Sequence, residues 1–84
     1  MDTTDFKILK AISDLKVAYP RVTKINSIVN LDLEELGARL GVLEIEGYIN
    51  TQSEVQIEAD CLPNGICAAS LTNLGRRALS GQRW

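Results

Sequence analysis

Apolar residues recur at helical spacing along the first half of the chain and at alternate positions in much of the second. In residues 5–19, D-F-K-I-L-K-A-I-S-D-L-K-V-A-Y, Ile8, Ala11, Ile12, Leu15 and Tyr19 form one helical stripe. Thr4 or Asp5 can cap its start, and Pro20 stops it. Phe6, Leu9 and Val17 fall off the stripe, so this helix is expected to touch a second surface besides its own core. Residues 23–29 suit a short helix capped by Thr23, with Ile25, Ile28 and Val29 inward. Asn30 and Leu31 make a tight break. Asp32 then caps a helix over about 33–46, with Glu35 placed to complete a capping box. Leu33, Leu36, Leu40 and Leu43 lie within about 80° of one another on its wheel, and Gly47 terminates it.

Beyond Gly47 the period shortens to two. Val55, Ile57, Ala59 and Cys61 alternate with Glu54, Gln56, Glu58 and Asp60, the pattern of a half-buried strand. Pro63-Asn64-Gly65 fits a type I turn followed by a bulge. That turn sets Leu62 opposite Ile66, Cys61 opposite Cys67, Ala59 opposite Ala69 and Ile57 opposite Leu71, within a hairpin over about 53–71. The odd-numbered face is then apolar throughout. Thr72 can cap a last helix over about 73–80. The 84 residues read as one α+β, mainly α domain spanning 1–84, with a three-helix core, a hairpin and a short C-terminal helix.

Order and motif together resemble a known family. Leu36-x-x-Arg39-Leu40-x-x-Leu43-Glu44-x-x-Gly47-Tyr48-Ile49, followed by a hairpin and Leu71-Thr72-x-x-Gly75-Arg76, is similar to the pattern of many small bacterial, archaeal and viral winged helix-turn-helix regulators. The resemblance covers roughly residues 5–80. It implies a transcriptional regulator that binds double-stranded DNA, commonly as a homodimer, with the helix after the turn in the major groove and the hairpin as its wing. By that logic the DNA contacts are Arg21, Thr23, Lys24, Ser27, Asn30 and Arg39, with Glu34, Glu35 and Ala38 nearby on the reading helix. Arg39 would pair with guanine or hold a phosphate, and Thr23 and Lys24 would meet a phosphate at a helix start.

Charge complicates this expectation. Net charge is −2, but residues 31–60 hold eight acids against Arg39, a balance of −7. Residues 6–30 hold five bases against Asp14, a balance of +4. Family wings often carry Arg or Lys near the tip, whereas Glu54, Glu58 and Asp60 line the outer strand face here. The acids at Asp32, Glu34 and Glu35 favour the positive end of a helix dipole, yet weaken attraction to phosphate.

A second apolar row, Ala38, Val42 and Ile45, lies opposite the leucines. Three readings are open: packing under the chain's own hairpin, a dimer or partner contact, or ordinary surface scatter. The alternative function is therefore a winged-helix protein-interaction module working through its acidic 31–60 surface, with no DNA role. A homodimer would use Phe6, Leu9 and Val17, with the last helix and Trp84 as additions.

Cys61 and Cys67 face each other at a non-hydrogen-bonded pair, where Cα atoms lie about 4.5 Å apart. The first expectation is two reduced, small apolar residues, and the alternative is a disulfide that stiffens the wing. No metal site or cofactor is expected from two cysteines and no histidine. No catalytic motif occurs, so an enzyme is not expected. The acidic start M-D-T-T-D and the lack of an apolar run near 18 residues point to a cytoplasmic protein off the membrane.

Overall fold

The computed structural model describes residues 3–53, 61–62 and 64–81. The element order is α1 (Thr3–Leu15), α2 (Val22–Val29), α3 (Leu33–Ile45), β1 (Ile49–Ser53), β2 (Ile66–Leu71) and α4 (Asn73–Gly81). This is the winged helix-turn-helix fold, mainly helical, with a two-stranded antiparallel hairpin.

The core is where the stripes meet. Ile8, Leu9, Ala11 and Ile12 of α1 pack with Val22 and Ile25 of α2 and with Leu36, Leu40 and Leu43 of α3. Ile49, Leu62, Ile66 and Ala69 close it from the hairpin side. Among the described residues no polar or charged side chain is buried, so the core is held by apolar burial alone. Leu9, placed off the stripe from sequence, is fully buried in this core and cannot form a dimer surface. The stripe of α1 is simply wider than its strongest row.

α1 ends at Leu15, not Tyr19. Lys16 adopts φ +55°, and its N–H donates to the Ser13 carbonyl at 3.3 Å. Pro20 also steers Tyr19 out of helical backbone. Val17 is therefore 61% exposed instead of covering a helix face. Pro20 is buried, and its carbonyl accepts from Ala69 N–H at 3.1 Å. Arg21 forms an antiparallel bridge with Ala68, so the approach to α2 runs along the hairpin.

The turn between α2 and α3 rests on two asparagines. Asn30 sits in the left-handed region at φ 57°, and its N–H donates to the Asn26 carbonyl. The Asn26 side-chain oxygen accepts from Leu31 N–H at 2.8 Å. The expected caps differ. α2 starts at Val22 with Arg21 in the N-cap position, so Thr23 is not the cap. Asp32 does occupy the N-cap of α3 but makes no side-chain capping bond, and no capping box forms with Glu35, which pairs with Arg39. Ile28 is half exposed, not inward.

α3 ends as a Schellman motif. Gly47 at φ +90° donates to Glu44 O, and Tyr48 donates to Leu43 O. β1 starts at once with buried Ile49. The pairing is Ile49 with Leu71, Asn50 with Ser70, Thr51 with Ala69, Gln52 with Ala68 and, after a register shift, Ser53 with Ile66. The expected partners of β2, Ala59 and Ile57, are thus displaced by Thr51 and Ile49. Register is set at the base: Thr72 N–H donates to Tyr48 O at 3.1 Å, and Thr72 Oγ1 donates to Gly47 O at 2.6 Å. The same Thr72 oxygen accepts from Gly75 N–H, capping α4 as its position suggests. The alternating run 54–60, Pro63 and Trp84 lie outside the described residues.

Candidate nucleic-acid interface

The outer side of α2 carries Thr23, Lys24 and Ser27, all exposed, and the turn adds exposed Asn30. They share a side because three- and four-residue steps return to the same helical face. Ser27 Oγ donates to the Lys24 carbonyl at 2.6 Å. Thr23, Ser27 and Asn30 converge on a groove of about 340 Å³, together with Val22, Asn26, Leu33, Cys61 and Leu62. One wall is polar and one apolar, and the apolar wall comes from the start of α3 and the hairpin tip. Lys24 lies on the same helix outside the groove lining.

Arg39 does not join this group. It lies on the α1 side of α3, where Nε donates to Glu35 Oε2 and Nη1 to Asp5 Oδ1, both at 3.1 Å. Asp5 is largely covered and Arg39 only about a quarter exposed. Arg39 thus ties α3 to α1, and using it on DNA would first break two charge-assisted bonds. Arg21 is half-buried at the N-cap of α2, with its backbone engaged by Ala68.

The acids separate into roles. Glu35 pairs with Arg39. Glu44 Oε2 accepts from Thr51 Oγ1 at 2.7 Å and from Thr51 N–H at 3.2 Å, fastening α3 to β1. Glu34 and Glu46 remain exposed. Val42 and Ile45 do not pack under the hairpin; they are 52% and 86% exposed, and Ala38 is exposed beside them. The outward side of α3 is therefore acidic and apolar.

The hairpin tip is seated on α3. Asn64 Nδ2 donates to the Gly37 carbonyl at 3.0 Å. A Cβ at residue 37 would meet that amide at 3.0 Å, which is why glycine interrupts the leucine helix. Leu62 N–H donates to Ile66 O, and Gly65 N–H to Leu62 O, each at 2.8 Å. Cys61 and Cys67 are joined in a disulfide, with Cα atoms 4.2 Å apart. Sequence reasoning passed over Asn26 and the Gly37–Asn64 contact, and it set Leu33 in the inward leucine stripe, whereas Leu33 is half exposed at the groove. The signal for the Gly37–Asn64 contact was a glycine inside a helix otherwise rich in leucine, which marks close backbone approach. Among the described residues no cluster of three or more metal-ligating side chains occurs, and no helix is long and apolar enough to cross a membrane.

No protein-family model and no curated protein matches the chain. Solved structures do. The C80S mutant of MarR from E. coli superposes with TM-score 0.74 at 19% identity, over 96% of this chain and 54% of that one. Wild-type apo MarR from E. coli gives TM-score 0.73 at 17% identity, over 96% and 54%. BpsR of Bordetella bronchiseptica, whose DNA binding is regulated by 6-hydroxynicotinic acid, gives TM-score 0.73 at 12% identity, over 96% and 52%. The chain spans about half the length of these proteins.

Proposed function

We propose that this chain is a DNA-binding transcriptional regulator that acts as a homodimer and meets duplex DNA through α2 and the turn into α3. The observation that carries the reading is the α2–Asn30–α3 unit set in a winged-helix frame, which is shared across 96% of the chain with BpsR, a protein whose DNA binding is regulated. Lys24 supplies charge, and Thr23, Ser27 and Asn30 supply hydrogen-bonding groups to phosphate and sugar. The start of α3 enters behind them. Arg39 serves the fold in this reading, not the DNA. Phe6 on α1 and Val17, just past its end, are the residues left for a dimer contact, since Leu9 belongs to the core.

Few cations on this surface mean weak non-specific attraction. Each phosphate neutralised contributes about −0.9 to the slope of log affinity against log salt. With Lys24 and Arg21 as phosphate ligands, a dimer is expected to show a slope of about −4 or shallower. Fluorescence anisotropy of a labelled duplex, titrated at low and then moderate salt, tests this. No binding at low salt would remove the reading. Light scattering that shows a monomer at high micromolar concentration would remove the dimer while leaving DNA contact standing.

A further inference from the structure

The outward side of α3 is built unlike a helix face that meets only water. Ala38, Gly41, Val42 and Ile45 follow one another along it, small residues first and branched ones after. A Cβ at Gly41 would meet nothing within 4 Å, so the surface above it is open. Beside Ala38 and Val42 lies a groove of about 280 Å³ whose other wall carries Asp5, Glu35 and Arg39. The row runs over eight residues, about 10 Å of helix, or two turns. Small residues let a second helix approach closely, and branched ones give it area to bury.

Charge decides what kind of helix fits. Exposed Glu34 and Glu46 stand at the two ends of the row, with Glu35 along its edge. A second copy of α3 laid on this face would bring acids against acids in either orientation, because both ends carry glutamate. Like charges across a contact disfavour it. A helix with apolar residues at three- and four-residue spacing, flanked by Lys or Arg, satisfies both the apolar row and the acidic rim. We propose that the Ala38–Gly41–Val42–Ile45 face docks a basic amphipathic helix of a partner protein. The surface runs from the middle of α3 to its end, so it stands apart from DNA contact through α2 and the turn.

The test uses the whole chain and a defined probe: a labelled, amidated 14-residue peptide of leucine and lysine, with leucines at three- and four-residue spacing. A control peptide replaces every leucine by glutamine at the same charge. Anisotropy at moderate salt should show saturable binding of the leucine peptide, with the control at least about tenfold weaker, a difference of about 1.4 kcal/mol. Backbone amide shifts in a 15N spectrum should concentrate on residues 38–45. Val42→Gln with Ile45→Gln should weaken binding at least about tenfold without moving the urea midpoint. If that double variant fails to fold, Ile45→Lys at the more exposed position gives the same readout. Equal binding of both peptides, shifts centred away from α3, or no binding at all would overturn the proposal. So would self-association of the chain that Ile45→Gln abolishes, since the occupant would then be a second copy.

Discussion

On α2 the exposed residues include Thr23, Lys24 and Ser27, polar groups and a cation; on α3, one tight turn later, they include Glu34, Ala38, Val42 and Ile45. The inward sides of the two helices are alike. Val22 and Ile25 on one, and Leu36, Leu40 and Leu43 on the other, enter the same core. Packing therefore constrains one side of each helix and leaves the other free to take on chemistry. In this chain the cation lies on the first helix of the motif and the acids lie on the second. The only arginine of α3 is drawn into an ion pair with Asp5 and Glu35. The contrast separates a surface suited to phosphate from one suited to a basic partner.

The contrast can be broken most forcefully through the core side of α3. Leu40→Ala should cost about 2–5 kcal/mol in urea denaturation, because a fully buried leucine leaves a cavity. Ile45→Ala on the opposite side should stay within about 0.5 kcal/mol. A loss at Ile45 as large as that at Leu40 would mean the outward side is covered after all. Next in size is the tip clasp. Replacing Cys61 and Cys67 together by serine opens a ring closed over a separation of six residues. It should cost about 2 kcal/mol on the loop-entropy scale, read as the difference in midpoint from the oxidised protein.

Two smaller effects sharpen the division of labour between the helices. Lys24→Ala should weaken duplex binding about equally for all sequences and lower the salt slope by about one per site. Arg39→Ala should leave the salt slope unchanged and cost no more than about 1 kcal/mol of stability, the scale of a partly exposed ion pair. A reversal, with Arg39 controlling the slope and Lys24 silent, would return DNA contact to α3.

The helices were legible because their apolar rows recur at a period that no strand shares. Their ends were less so. The stop at Leu15 depends on the left-handed backbone of Lys16, for which a lysine gives no local sign. The hairpin shows how alternation alone leaves the pairing of β2 open. Ile49, which faces Leu71, lies eight residues before Ile57, the partner the alternation suggested. Eight is even, so as far as Gln52 both registers match odd-numbered with odd-numbered residues and a period of two cannot separate them; only the shift before Ser53, which pairs with Ile66, breaks that parity. What separates them is Thr72 bound to Gly47 and Tyr48, a contact between residues far apart in the chain. At the candidate site, polarity singled out Thr23, Ser27 and Asn30, which line one groove. The fate of Arg39 was not, because Asp5 is 34 positions away in sequence.

The bond set of Thr72 also orders the way this molecule comes apart. One residue closes the hairpin base, holds the carbonyl of Gly47 at the end of α3 and caps α4. The hairpin cannot part at that end without disturbing both helices, so the β1–β2 ladder is expected to open from its Ser53 end. In deuterated solvent the amide protons of Tyr48 and Thr72 should be among the last of the hairpin to exchange, at a rate set by global unfolding. Those near Ser53 and Ile66 should exchange through smaller, local excursions. Thr72→Val would remove the hydroxyl while keeping the shape, and should let the two populations of protons converge.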